Sequence, residues 1–258
     1  MQHNGIYRER PKDNRSPCLI SSFHARDVIP ELRSISEYCG VYESLDIEFG
    51  GEQFEAHPLK ALWHKASASL ICSDIHIGKA AHFRKSGIAI PTLANDENAW
   101  NLQSLLQHYP CKRLVVVGDI LHSHSNEEWL RFVDFLDQFP EVQRLLVAGN
   151  HDRFGMQALR AASFDIVPTA RIGSVVLLHE PPDQLHEPTL CGHLHPAVSF
   201  RGKARQHLRL PCFYFGQQLA LLPAFGSFTG TATIKPSAGD RVVVIANGKL
   251  MQVPVGTK

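Results

Sequence analysis

The chain has no C-x-x-C pair. Its six cysteines, at positions 18, 39, 72, 111, 191 and 212, are scattered. Four of them sit inside or beside apolar runs, as small buried residues do. This pattern offers neither a disulfide frame nor a thiolate metal site, and it fits a reducing, cytoplasmic setting. Long apolar runs are also missing, and nothing approaches the roughly 20 residues needed to cross a bilayer. The opening MQHNGIYRERPKDNRSP is polar and lacks the apolar centre of a secretory signal. Net charge is nearly absent: 26 basic against 25 acidic residues leave +1. A nucleic-acid or membrane partner therefore has no global electrostatic case and needs a local one. No internal repeat or low-complexity segment is evident.

What is present in excess is histidine, with 15 residues, and where these fall matters more than their number. The 258 residues suffice for one large domain or two small ones. Residues 1–40 lack steady periodicity and carry Pro11, Pro17 and Pro30. They read equally as a flexible N-terminal extension or as a tail with a short helix near 28–38. From there to 258 a single domain is expected.

LDIEFGGEQFEAH alternates about Gly50-Gly51 and predicts a hairpin, with Asp46, Glu48, Glu52 and Glu55 on a solvent-facing surface. ALWHKASASLICSD continues as strands. Leu93–His108 predicts a helix, RLVVVGD a buried strand, and Ser125-x-x-Glu128 a capping box ahead of WLRFVDFLDQF. VQRLLVAGN is a strand and MQALRAA a helix. The remainder is mostly strands: SVVLLHE, TLCGH, AVSFRG, ARQHLRL, QLALLPAF and RVVVIANG. Strands alternating with helices first, and strands later, predict an α/β fold: a two-sheet sandwich with helices outside.

The apolar runs end in a repeated way. SLICSDIH gives Asp74 and His76; LVVVGD gives Asp119, with His122 three residues on. LLVAGNHD gives Asn150, His151 and Asp152; SVVLLHE gives His179; TLCGHLH gives His193 and His195. A turn needs only the glycine and perhaps the asparagine, so the imidazoles and carboxylates ask for another reason. Open α/β sheets place their sites at strand carboxyl ends, and these side chains would converge on one rim. Hard O and N ligands without thiolate suit Mn²⁺, Fe or Zn²⁺. There are more of them than one ion needs. Two divalent ions about 3.5–4 Å apart would use them all and activate a bridging water toward phosphorus.

The series D-x-H, G-D, G-N-H-D, H and G-H-x-H, spanning residues 74–195, resembles the calcineurin-like metallophosphoesterases. The resemblance implies an αββα sandwich with a dinuclear centre at the strand ends. It makes Asp74, His76 and His195 ligands of one ion, Asn150, His179 and His193 ligands of the other, and Asp119 their bridge. His151 takes the part of the outer-sphere acid, and Asp152 belongs with it among the catalytic residues as a supporting residue behind it. Phosphatase branches carry G-D-x-x-D where this chain has G-D-x-x-H, ending at His122. That form resembles the repair-nuclease branch and favours a diesterase, with His122 assisting.

Three further blocks, SDIHIGKAAHFRKSGIAIP, GHLHPAV and LPAFGSFTGT, look like the ligase-associated DNA damage response endonucleases, the PdeM-type group. This implies a manganese-dependent phosphodiesterase, hydrolysing diesters with a metal-bridging hydroxide and acting in DNA repair beside an ATP-dependent DNA ligase and a helicase. Two basic stretches supply the local electrostatic case for DNA: Lys79, Arg84 and Lys85, then Arg201, Lys203, Arg205 and Arg209. Lysines and arginines on a hairpin edge also serve simply against aggregation. A phosphodiesterase of small nucleotides and a non-catalytic, partner-binding member of the fold remain the alternative readings.

Overall fold

The computed structural model describes residues 42–79, 94–122, 127–201, 207–227 and 229–255. The expected extension over 1–40 lies outside them. Two sheets organise the rest. The first runs in the spatial order β1 (Leu45–Phe49), β2 (Glu52–His57), β3 (Ala61–His64), β4 (Ser69–Ser73), β5 (Arg113–Val117), β6 (Gln143–Val147) and β7 (Phe164–Val167). It is antiparallel from β1 to β4 and parallel from β4 to β7.

Among the described residues the second sheet has nine strands: β8 (Ala170–Ile172), β9 (Val175–Leu178), β10 (Thr189–Cys191), β11 (Pro196–Arg201), β12 (His207–Phe215), β13 (Leu219–Leu221), β14 (Ala232–Thr233), β15 (Arg241–Ala246) and β16 (Lys249–Val253). Its order is β14-β11-β12-β13-β10-β9-β8, with β15 on β12 and β16 on β15. Strands β9, β10 and β13 are parallel neighbours.

Strand alternation sorts the apolar residues into two layers. Leu70, Cys72, Leu114, Val116 and Leu146 point toward the helices, while Ile71, Val115, Val117 and Val147 point toward the second sheet. The first set packs on α1 (Ala94–His108), α2 (Glu127–Leu136) and α3 (Met156–Ala161) through Leu102, Leu105, Trp129, Phe132 and Leu159. The second set packs on Val175, Leu177, Leu190, Phe213, Leu222 and Val243. Each such side chain taken fully out of water contributes roughly 1.5–3 kcal/mol. Both layers are thus needed to hold β4, β5 and β6, whose central stretches are apolar on both faces as parallel strands require. The two-sheet sandwich with helices outside is present, and all three described α-helices lie on the first sheet.

The hairpin turns at Gly50-Gly51, and α1, described from Ala94 on, stops before Tyr109-Pro110, since a residue ahead of proline leaves the helical region. Of the capping box only Glu128 is described, because Ser125 is not. Strands β7, β8, β14 and β16 were not expected; they are short or lie at the ends of the strand order. Two acids of the supposedly solvent-facing hairpin are committed to contacts instead. Glu52 accepts from the Ser174 amide at 2.9 Å and the Ser174 hydroxyl at 3.0 Å. Glu55 accepts from the Tyr109 hydroxyl at 2.7 Å. Those bonds draw β2 to the turn before β9 and to the end of α1.

Candidate metal centre

Three loops leave the carboxyl ends of β4, β5 and β6, and the backbones of the first two are bonded to each other. The amides of Asp74, His76 and Ile77 donate to the carbonyls of Gly118, Asp119 and Ile120 at 3.1, 3.0 and 2.8 Å, and the amide of His122 returns to Ile77 at 3.0 Å. From the second sheet, β9 ends in His179 and Glu180, and β10 in Gly192, His193 and His195. Residues 222–226 join the two sheets at this rim. The Leu222 amide donates to Cys191, while the amides of Phe225 and Gly226 donate to Ser73 and Asp74.

Two groups of side chains result. Asp74, His76 and His195 form one; Asp119, His179 and His193 form the other; within each, one ligand atom per residue lies within 4.8 Å of the rest. His179 touches both groups, with Nδ1 3.9 Å from Asp74 Oδ1 and Nε2 3.5 Å from Asp119 Oδ2. The backbone is bent to bring them there. Asp74, His76, Asp119, His193 and His195 all have positive φ, between 45° and 62°. Such conformations cost of order 1–3 kcal/mol each and gather where function fixes a side chain. The glycines ahead of the ligands have a steric reason. A Cβ on Gly118, at φ 77°, would sit 1.8 Å from His179 Nδ1, and one on Gly192 would sit 2.5 Å from Asp74 Oδ2.

These groups fit a pair of divalent cations. Asp74 is fully buried, and its Oδ1 and both ring nitrogens of His76 have no hydrogen-bond partner among the described residues. Buried polar groups are rarely left so, and a cation beside them is one thing that completes them. Each carboxylate is half engaged: Asp74 Oδ2 accepts from the His193 amide at 3.0 Å, and Asp119 Oδ1 from the His151 amide at 2.9 Å. The other oxygens turn to the histidines, Asp74 Oδ1 lying 3.3 Å from His195 Nε2. His195 Nδ1 lies 2.9 Å from the Gly230 carbonyl, which fixes the proton on Nδ1 and leaves Nε2 a lone pair. Burial pushes the His76 pKa down to about 2, and the charge of Lys79 adds to it, so this imidazole is neutral and competent to ligate.

The remaining expected residues fall around this core. Asn150 lies beside the second group, bonded through its amide nitrogen to Glu180. The rings of His122 and His151 stack with centroids 5.5 Å apart, and those of His122 and His151 lie 5.8 and 5.6 Å from His76. Asp152 stands behind His151. It is fully buried, and both oxygens are taken up by backbone amides: Ile120 and Leu121 at 2.9 and 3.3 Å, and Gly149 at 2.9 Å. It ties the β6 loop to the β5 loop and so positions His151. Burial raises its pKa against the pull of those amides.

Lys79 is half-buried by the first loop. Burial lowers its pKa, while the charges of Asp74 and Asp119 oppose this, which places the ammonium within electrostatic reach of both groups. Arg84, Lys85, Lys203 and Arg205 lie outside the described residues, as does the side chain of Arg201. Glu180 was visible as the residue after His179 but carried no spacing signal. Gly230 lay in a block that resemblance had picked out, though nothing in its letters foretold a contact to His195.

Two adjoining sets of hard ligands at the joint rim of a two-sheet sandwich define a metal-dependent phosphoesterase, a hydrolase. The chain belongs to the calcineurin-like phosphoesterase family, whose model matches residues 69–216. Among solved structures, the nuclease MPE of Pseudomonas putida is similar at 29% identity with a TM-score of 0.70, over 82% of this chain and 100% of that one. No curated protein sequence matches the chain. No helix of the described residues is long and apolar enough to cross a membrane.

Proposed function

We propose that the protein is a two-metal phosphodiesterase that cuts DNA as an endonuclease in DNA repair, with residues 41–258 as its catalytic domain. The observation that carries this reading is the placement of two stacked imidazoles, His122 and His151, beside two adjoining ligand groups. A diester gives up an alkoxide, which needs a proton, and it brings less negative charge than a monoester. Imidazoles suit that substrate better than an added carboxylate would. The likeness to a nuclease over that protein's whole length supports the choice.

Asp74, His76 and His195 would hold one ion, and Asn150, His179 and His193 the other, with Asp119 shared. Two divalent ions held there, manganese first among the candidates, lower the pKa of a water and neutralise phosphate oxygens. The chain does the rest. His151 delivers a proton to the leaving oxygen, and its ring is aimed by the bond from its own amide to Asp119 and by Asp152 beneath the loop. His122, stacked on it, donates to a phosphate oxygen. Lys79 meets a neighbouring backbone phosphate, and Arg84, Lys85, Arg201, Lys203 and Arg205 extend that contact along the strand.

The test is hydrolysis of a chromogenic phosphodiester and its matching monoester, with Mn²⁺ and with EDTA, in the presence and absence of unlabelled DNA. Manganese-dependent diester cleavage that DNA inhibits is the expected result. In His151→Ala it should fall by roughly 10²–10⁴-fold, the usual weight of a general acid, with metal content unchanged. Cleavage indifferent to DNA would replace the polynucleotide by small nucleotide diesters. No cleavage of any ester by metal-loaded protein would leave a binding module.

A further inference from the structure

Glu180 follows His179 directly, and its carboxylate meets two side chains at once. Oε1 accepts from Asn150 Nδ2 and lies 3.4 Å from His193 Nε2. Both neighbours share a difficulty. Each has two chemically different ends, and only one of them can bind a cation. Histidine carries its proton on either ring nitrogen, and the protonated one is no ligand. An asparagine amide can ligate through oxygen but not through NH₂.

A carboxylate only accepts. Held against His193 Nε2, it draws the proton there and leaves Nδ1 a lone pair, and Nδ1 is the nitrogen that lies 3.1 Å from His179 Nε2. Bonded to Asn150 Nδ2, it leaves Oδ1 of the amide free. Without such an acceptor a competing arrangement is open. His193 would carry its proton on Nδ1 and donate to His179 Nε2 across the same 3.1 Å, consuming both ligand nitrogens in one hydrogen bond.

We propose that Glu180 is the positioning residue of the second metal position, fixing the tautomer of His193 and the orientation of Asn150 so that both offer lone pairs to one divalent cation. This rests on the reading of Asn150, His179 and His193 as ligands of a single ion. The first position does not depend on Glu180, because His195 is fixed by a backbone carbonyl, that of Gly230. A carboxylate partner also raises the basicity of the imidazole it holds, and removing such partners typically weakens metal binding by about 10–100-fold. The two positions therefore respond differently to one substitution.

The test uses the full chain stripped of metal and titrated with Zn²⁺ in a calorimeter, without any substrate. The unaltered protein should take up two ions. Glu180→Ala should keep one at unchanged affinity and bind the second about 10–100-fold more weakly. Glu180→Gln, a neutral acceptor, should fall between. Nitrogen-15 spectra of the stripped protein should show His193 protonated on Nε2, moving to Nδ1 in Glu180→Ala. Two ions bound by Glu180→Ala as tightly as before, or a His193 already protonated on Nδ1 with Glu180 in place, would overturn the proposal. An unaltered chain that takes up no second ion would instead overturn the ligand reading beneath it, and the His193 spectrum would still decide whether Glu180 sets the tautomer.

Discussion

His64 and His76 are buried almost equally, 3% and 5% exposed, and their surroundings are opposite. His64 lies on β3 with Nδ1 2.7 Å from the Ser67 hydroxyl and Nε2 3.2 Å from Glu52 Oε2. Every polar atom of its ring is accounted for. His57, close by on β2, accepts from the Leu59 amide at 3.1 Å and packs against His108 and Tyr109. His76 has neither nitrogen bonded among the described residues and faces three other imidazoles. The same residue type thus serves two ends. Where the chain completes the ring, histidine is a building piece; where it leaves the ring open beside buried carboxylates, the completing group comes from outside.

That contrast can be broken most severely at the rim. Asp119→Asn should abolish activity and strip both ions, measured by metal analysis and turnover. The metal-free protein should lose no thermal stability, because the new amide oxygen can still accept from His151 and a buried charge is gone. Normal metal content in this variant would remove Asp119 from the ligand set.

The next effect belongs to the other region. Burial pushes the His57 pKa down to about 4, with the charge of His108 adding to it. Between that value and about 6.5 the unfolded chain binds a proton that the folded chain refuses, so stability is full above pH 6.5 and is lost as pH falls toward 4. At about 1.4 kcal/mol per unit the loss reaches roughly 3 kcal/mol. Denaturant unfolding at pH 7.0, 5.5 and 4.5 should show this slope, and His57→Gln should flatten it. An unchanged slope in that variant would assign the acid sensitivity to another group.

The smallest effect is expected at His64. His64→Ala should cost roughly 1–3 kcal/mol of stability, as buried partners lose their bonds, and leave turnover and metal content unchanged. Loss of turnover at an unchanged melting temperature would mean that this pair of regions is not separable.

The rim was more legible in the sequence than the walls. Five polar clusters after five apolar runs could be read because a buried run followed by Asp or His has few structural explanations, and the structure gathers side chains from four of them into two groups. Strands such as FDIV, ARI and KLMQV were missed for a physical reason. They are three to five residues long and half-exposed, so pairing with neighbours decides their conformation rather than any period of their own. Asp152 shows the limit at the site itself. Its letter beside His151 placed it at the site, but nothing in the letters foretold that three amides from two loops hold its oxygens. Glu180 shows the converse, since a contact between side chains 30 residues apart leaves no mark in spacing.

Each ligand group draws on both sheets: Asp74 and His76 from the first with His195 from the second, and Asp119 from the first with His179 and His193 from the second. Neither position exists until the sheets have closed on each other, so a nascent chain shows passing metal ions only scattered pairs of weak ligands. Once closed, every bound ion acts as a clasp across the sandwich, and its binding free energy is added to the work of prising the two layers apart.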